Sequence, residues 1–332
     1  MHLRFALLLV FTASTTWAAS EQTVREEFDS APGGQLVVDV DFGTVNLSAG
    51  PDAKVSVEAM RKIDMGDEAR EKEYLSETPI LVAKEGNTIT VRARRRNGER
   101  SYSNWSGNVS LDARYTVRVP KNFSADLRTR GGGVSVDGIT GDIKADTSGG
   151  KMKFAQLRGT LDARTSGGSI ALDGCEGPLK ISTSGGAIDA KNGGGSLDAR
   201  TSGGSIVVRD FNGDTDVKTS GGKLSFENIK GTINGKTSAG SIDAALSDPV
   251  PGDVTLHTSA GSIDLSLSAK AAVNVDAKSS LGNIRTEIPM LATKSGDDRL
   301  LGTLNGGGKS LNLKASVGSI TIRPTSSPTA AR

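Results

Sequence analysis

The sequence predicts an all-β protein, a parallel β-solenoid (β-helix) with coils of about 18 residues and two strands in each coil. The tetrapeptide Thr-Ser-Gly-Gly recurs every 18 residues, starting at Thr147, Thr165, Thr183, Thr201 and Thr219. After each tetrapeptide, apolar and polar residues alternate with the period of a β-strand. Glycine supplies 42 of the 332 residues and aromatic residues only 4%, a composition that disfavours a conventional large-cored globule.

The N-terminus has the pattern of a secretory signal peptide over residues 1–18. Arg4 precedes an apolar run from Phe5 to Phe11, and small residues follow up to Ala18; this order is typical of a segment removed after export. The apolar run is far shorter than the roughly 20 residues that cross a bilayer as a helix. We therefore expect an exported protein, periplasmic or extracellular or on the cell surface, that does not span a membrane.

Residues 19–124 are expected to form N-terminal coils with an insert. Residues 34–60 alternate apolar and polar side chains like the later coils and start the predicted solenoid. The segment 66–78 is polar and compatible with a helix, and 80–91 has the pattern of two short strands joined by a turn. Because the exposed end of a solenoid invites aggregation, we expect this insert to cap that end or to pack on a side.

Residues 125–323 supply the regular repeats, in which each repeat position forms a column of similar residues. The position five residues after the threonine is Val, Met, Ile or Leu in every coil, as expected for stacked coils about 4.8 Å apart with a continuous dry core. The threonines are predicted to point inward as a ladder of hydroxyls. The glycine three residues after each threonine never varies, and we expect it at a bend with positive φ. Residues 324–332 are predicted to be a disordered tail.

The composition excludes several classes of function. Forty Lys and Arg against 38 Asp and Glu give a formal charge of +2, without the basic excess of a nucleic-acid-binding protein. The single cysteine, Cys175, excludes a disulfide framework, and its apolar column predicts a small buried residue. Only one histidine, His257, follows the predicted signal peptide, which excludes most histidine-based catalytic and metal sites. No cofactor is expected.

Charged residues mostly alternate in sign along the outward-facing columns. Three residues before the threonines stand Asp126, Lys144, Asp162, Lys180, Asp198 and Asp216. Opposite charges on adjacent strands stabilise a sheet by about 0.2–1 kcal/mol per pair, so the alternation has a structural explanation. It also opposes the cluster of carboxylates with which a polysaccharide lyase would hold calcium.

One pair of carboxylates departs from this alternation. Asp243 and Asp264 occupy the same position in neighbouring coils and are the candidate metal ligands of the sequence. Together with a base such as His257 or Lys278, they would support an alternative hypothesis, a carbohydrate-active enzyme of the lyase or hydrolase kind on a β-helix.

A run of arginines outside the regular repeat gives a third hypothesis. Arg94, Arg95, Arg96 and Arg100 could bind an anionic polymer such as lipopolysaccharide or an acidic glycan. A solvated loop is the commoner explanation of a short charge run.

The chain resembles a broad family of exported bacterial β-strand-repeat proteins of unknown function, labelled putative adhesins. The resemblance covers about residues 28–323. It is carried by the opening segment 34–45, the hairpin at 86–91, the strand at 115–120, the Thr-Ser-Gly-Gly units and the closing segment 311–322. It implies a parallel β-solenoid in the envelope or outside the cell, and it supplies no catalytic residues.

The leading functional expectation is therefore a non-enzymatic, exported protein with an adhesin-like binding or structural role at the cell envelope. Successive coils would present the same polar surface, whereas a catalytic site is a single constellation of residues. The expected partner is an envelope or cell-surface polymer, such as a glycan, or a protein. Nucleic acid is not expected as a partner.

Overall fold

The computed structural model describes residues 20–95 and 110–325. The predicted signal peptide at 1–18 lies outside the described residues, as does the predicted tail beyond residue 325. Within the described ranges the chain forms one short helix and a sheet of 27 strands. The prediction of an all-β solenoid is confirmed.

The strands of the N-terminal part are β1 (Ser20–Asp29), β2 (Gly34–Val40), β3 (Thr44–Ala49), β4 (Lys54–Asp64), β5 (Leu81–Glu85), β6 (Thr88–Ala93) and β7 (Ser110–Val119), with α1 (Glu68–Glu77) between β4 and β5. The regular coils contain β8 (Phe123–Arg128), β9 (Val134–Asp137), β10 (Ile143–Asp146), β11 (Met152–Ala155), β12 (Leu161–Arg164), β13 (Ile170–Asp173), β14 (Glu176–Ser182), β15 (Ile188–Arg200), β16 (Ile206–Thr219), β17 (Leu224–Ile229), β18 (Ile233–Thr237), β19 (Ile242–Ala245), β20 (Val254–Ala260) and β21 (Ile263–Leu267). The C-terminal part contains β22 (Val273–Leu281), β23 (Ile284–Thr286), β24 (Leu291–Ser295), β25 (Arg299–Leu304), β26 (Lys309–Val317) and β27 (Ile320–Pro324).

The coils build two stacks of parallel strands. In the first stack, Ile143 of β10 pairs with Leu161 of β12, and in the second, Met152 of β11 pairs with Ile170 of β13. Each step from β8 to β19 is therefore the 18-residue repeat itself, and the step to β20 and β21 is 21 residues. The long strands β15 and β16 contribute one half to each stack.

The apolar columns of both stacks form one continuous core. Met152, Ile170 and Ile188 are each 1% exposed, and a single cluster of buried residues extends from Leu36 to Ile322. A strand of four or five residues has little apolar surface of its own, so each coil is stabilised mainly by the coils above and below it. Outward-facing side chains of the two stacks lie on opposite sides of this core, because successive residues of a strand alternate between its faces.

The order of coils at both ends differs from the order in the sequence. The coil of β2 and β3 lies between the layer of β6 and β7 and the layer of β8 and β9. The coil of β26 and β27 is likewise inserted between β20–β21 and β22–β23. Consecutive turns therefore do not stack in chain order at the ends. Insertion gives each of these coils parallel neighbours on both sides.

Antiparallel strands cover both ends. At the N-terminal end, β5 pairs with β6, and β1 pairs with β4, which pairs with β7. At the other end, β22 pairs with β25 and β25 with β24.

The α1 helix begins after Asp67, whose carboxylate accepts hydrogen bonds from the amides of Ala69 and Arg70. Its Tyr74 packs with Ile63 and Met65 in a small second core. Among the described residues, no helix combines the length and apolarity needed to cross a membrane.

The invariant glycines are required for a different reason from the predicted one. A positive φ does occur at Gly261, Gly282 and Gly318, but not at the corresponding glycines from Gly132 to Gly240. There the backbones of adjacent coils approach so closely that a Cβ would collide with the previous coil. A Cβ on Gly150, for example, would lie 1.9 Å from the carbonyl oxygen of Gly132.

Candidate binding face

The outward face of the first stack contains a long groove of about 1040 Å³ that begins at β2 and extends across the next seven strands of the stack, from β8 to β18. Two columns of side chains line it. One column is Ser124, Asp142, Thr160, Pro178, Ser196, Asp214 and Thr232, and the other is Asp126, Lys144, Asp162, Lys180, Asp198, Asp216 and Asn234. The 18-residue register places each member of a column beside the next, so the groove repeats similar chemistry at intervals of about 4.8 Å.

Four aspartates of the groove are neutralised along their own strands. The ion pairs join Arg128 to Asp126 at 2.6 Å, Arg164 to Asp162 at 2.9 Å, Arg200 to Asp198 at 2.8 Å and Lys218 to Asp216 at 2.8 Å. Such exposed pairs contribute about 0–1 kcal/mol each. Lys144 and Lys180 are exposed and take part in no ion pair with another described residue. They are the cations that the groove offers to a partner.

Two further aspartates bind the next coil. Asp214 accepts hydrogen bonds from the amide of Thr232 at 2.9 Å and from its hydroxyl at 2.7 Å. These two bonds hold the pKa of Asp214 below its usual range. Asp142 accepts from the hydroxyl and amide of Thr160 in the same way. Both carboxylates therefore have a structural role between coils.

A row of basic side chains continues the same face beyond the groove. We call it the cation row; in spatial order it comprises Lys236, His257, Lys314, Lys278 and Arg299. Together with Thr255, Asn312 and Asp276, these residues line a second depression, of about 470 Å³. Arg299 pairs with Asp276 at 3.1 Å. In the part of the chain that the structure describes, the three lysines of the row form no ion pair.

His257 is the second member of the row, between Lys236 and Lys314. It is half-buried. Burial, followed by the charges of Lys314 and Lys236, lowers the pKa of His257 from the usual 6.5. Sequence reasoning missed the row because Lys314 enters it only through the inserted coil. The one signal in the sequence was the succession of basic residues at a single repeat position, namely Arg200, Lys218, Lys236 and His257.

The candidate metal ligands Asp243 and Asp264 are in register on β19 and β21 of the second stack. Asp243 forms an ion pair with Lys223, and the described residues contain no group of three or more His, Cys, Asp or Glu side chains placed to hold a metal ion. His257 and Lys278 lie on the first stack, across the core. The structure therefore does not bring together the carboxylates and the base that the enzyme hypothesis requires.

Two of the four candidate arginines join structural elements to one another. Arg94 forms an ion pair with Asp39 on β2, and Arg95 forms one with Glu77 of α1 at 2.6 Å. The amide of Arg95 also donates to the carboxylate of Asp41 at 3.1 Å. Arg96 and Arg100 lie outside the described residues. The predicted anion site at this run stays a prediction.

Several solved structures are similar to the chain at low sequence identity. A putative lipid binding protein from Parabacteroides distasonis ATCC 8503 is 12% identical, with 93% of this chain and 99% of that chain covered and a TM-score of 0.37. A putative adhesin from Parabacteroides merdae ATCC 43184 is 10% identical, with 92% and 97% covered and a TM-score of 0.33. A putative cell adhesion protein from Clostridium sporogenes ATCC 15579 is 12% identical, with 92% and 100% covered and a TM-score of 0.23. TM-scores this low do not establish a shared arrangement of the whole chain.

The match between the sequence and a family model shows the family of the chain. No curated protein matches the chain significantly. The family model described as Toastrack DUF4097, a domain of unknown function, matches residues 34–323, which include every regular coil and the inserted coils at both ends. The chain belongs to the Toastrack DUF4097 family.

Proposed function

We propose that this protein is a non-enzymatic, exported binding protein of the cell envelope or cell surface, with an adhesin-like role, and that it holds an extended partner along the outward face of the first stack. The observation that carries the proposal is the groove, in which seven successive strands present similar polar side chains. A partner with a repeating structure can contact such a surface at many equivalent positions, and many weak contacts on one molecule combine into strong binding.

The distribution of charge favours binding over catalysis. General acid–base or metal chemistry needs a singular set of groups with shifted pKa values, held close together. In the groove, the aspartates are paired with cations or bound to hydroxyls of the next coil, and the pKa of Asp214 is shifted downward, away from the range of a general acid. Lys144 and Lys180 provide charge for recognition at two points 36 residues apart in the sequence.

The test is binding of the purified protein to an array of envelope glycans and other envelope components. Affinity should increase with polymer length until the polymer spans the groove. The double variant Lys144→Gln/Lys180→Gln should weaken binding of an acidic partner. The matched control is Lys151→Gln/Lys153→Gln, because Lys151 and Lys153 are exposed at the second stack and the same net charge is removed. Equal effects of the two pairs, or depolymerisation of the bound polymer, would contradict the proposal.

A further inference from the structure

We infer that the cation row is a binding site for an acidic polysaccharide that carries about one negative charge per sugar. This inference rests on the proposed binding function and assigns it a partner class and a second site. The row includes side chains from β18, β20, β26, β22 and β25, which the inserted coil brings together.

The register of the strands places the basic side chains in one row. Lys236 pairs with His257, His257 with Lys314, and Lys314 with Lys278. Adjacent strands are about 4.8 Å apart, so four basic side chains follow one another at that interval. Like charges directly opposite one another destabilise a sheet. A bound polyanion would remove this cost.

The aspartates that neutralise basic residues elsewhere on this face are absent beside most of the row. Where Arg200 and Lys218 stand in the same column, an aspartate two residues earlier on the strand pairs with each of them. In the next three layers that position is Asn234, Thr255 and Asn312. No described residue therefore forms an ion pair with Lys236 or Lys314. At Lys278 the aspartate returns as Asp276, but its carboxylate pairs with Arg299 of the next strand.

The neutral side chains beside the row suit a polysaccharide. Thr255 and Asn312 line the depression beside the row, where a hydroxyl and an amide can bond to sugar hydroxyls. The lining of this depression contains no Phe, Tyr or Trp, so the stacking platform that single-stranded nucleic acids use is lacking there. These features favour a polysaccharide over a nucleic acid.

The experiment measures binding of the intact protein to polygalacturonate, with its fully methyl-esterified, uncharged form as the matched polymer. We expect binding to the acid form only, weakening as salt rises. The variant Lys236→Gln/Lys314→Gln should reduce affinity by roughly tenfold or more, as expected for the loss of two charge contacts. The control Lys151→Gln/Lys153→Gln should bind as the wild type does. Circular dichroism and urea unfolding establish that both variants are folded.

The outcomes separate the two proposals. If polygalacturonate still binds and only the Lys144→Gln/Lys180→Gln variant weakens it, the cation row is not the site, while the proposed binding function stands. If both forms of the polymer bind equally, or if single-stranded DNA binds as tightly as polygalacturonate, the partner class is wrong. If the wild type binds neither polygalacturonate nor any component of the array, both proposals fail.

Discussion

The hydroxyl of Thr183 donates a 2.9 Å hydrogen bond to the carbonyl oxygen of Gly168 in the preceding coil. The same hydroxyl accepts a 3.2 Å hydrogen bond from the amide of Gly186 in its own coil. The corresponding bond to the preceding coil recurs from Thr129, Thr147, Thr165, Thr201, Thr219, Thr237 and Thr258. The threonine column therefore stabilises each bend by bonding it to a neighbouring bend, and all these threonines are buried.

Replacement of Thr183 by valine should destabilise the protein. Valine keeps the branched shape but leaves the amide of Gly186 without its side-chain acceptor and the carbonyl of Gly168 without its hydroxyl donor. A buried polar group that loses its partner costs about 1–3 kcal/mol. We expect a lower midpoint of urea unfolding. Thr183→Ser retains the hydroxyl and should lie closer to the wild type; a serine variant as unstable as the valine variant would show that the methyl group, not the hydrogen bond, stabilises the bend.

Replacement of Gly186 by alanine should be far more damaging than replacement of its neighbour Gly185. A Cβ on Gly186 would lie 1.9 Å from the carbonyl oxygen of Gly168, whereas the nearest atom to a Cβ on Gly185 is 3.8 Å away. Neither glycine has a positive φ, so the two variants differ in contact and not in backbone strain. We expect Gly185→Ala to unfold within about 0.5 kcal/mol of the wild type, and Gly186→Ala to lose most of its soluble folded yield.

Similar losses in both alanine variants would mean that the bend tolerates no Cβ at either position, and the contact explanation would be wrong. The comparison is informative because Gly185 and Gly186 are consecutive residues of one repeat. Circular dichroism of the soluble fraction distinguishes a folded variant of low yield from an unfolded one.

The repeat made most of the fold predictable from the sequence. Alternating apolar residues and an 18-residue spacing determine the strand positions and their lateral partners in the regular region, because identical coils pair in one register. The order of coils at the ends was not predictable. The sequence of 309–324 resembles the other coils, and nothing in it distinguishes stacking on the last coil from insertion between two earlier ones.

Part of the candidate site was less predictable, because it depends on the order of the coils at the C-terminal end. The charges along the groove follow directly from the repeat, and their alternation was visible in the sequence. The cation row was not, because the residue that lies between His257 and Lys278 is Lys314, which is 36 residues beyond Lys278 in the chain. The arginine run was conspicuous in the sequence, but Arg94 and Arg95 form ion pairs with Asp39 and Glu77.

Cys175 should react with thiol reagents only when the protein unfolds. The side chain is fully buried, and burial raises the pKa of its thiol, which lowers the fraction of reactive thiolate. Its sulfur also lies 3.4 Å from the carbonyl oxygen of Phe154. We expect labelling by a coloured disulfide reagent at pH 8 to be slow in buffer and fast in urea above the unfolding midpoint. Fast labelling of the native protein would indicate that the coil of Cys175 opens locally.

The final prediction concerns the titration of His257, measured by NMR of the ring protons. Partial burial, followed by the charges of Lys314 and Lys236, lowers its pKa from 6.5. The folded state therefore binds fewer protons than the unfolded state, and the stability that the neutral imidazole contributes is present above the unfolded pKa and lost as pH falls through the folded pKa. Lys314→Gln should raise the midpoint only in part, because burial is the larger cause, whereas Lys153→Gln should leave it unchanged. An unchanged midpoint in Lys314→Gln would show that the charge of Lys314 is screened from the ring, and a wild-type midpoint at or above 6.5 would contradict the burial of the imidazole as well.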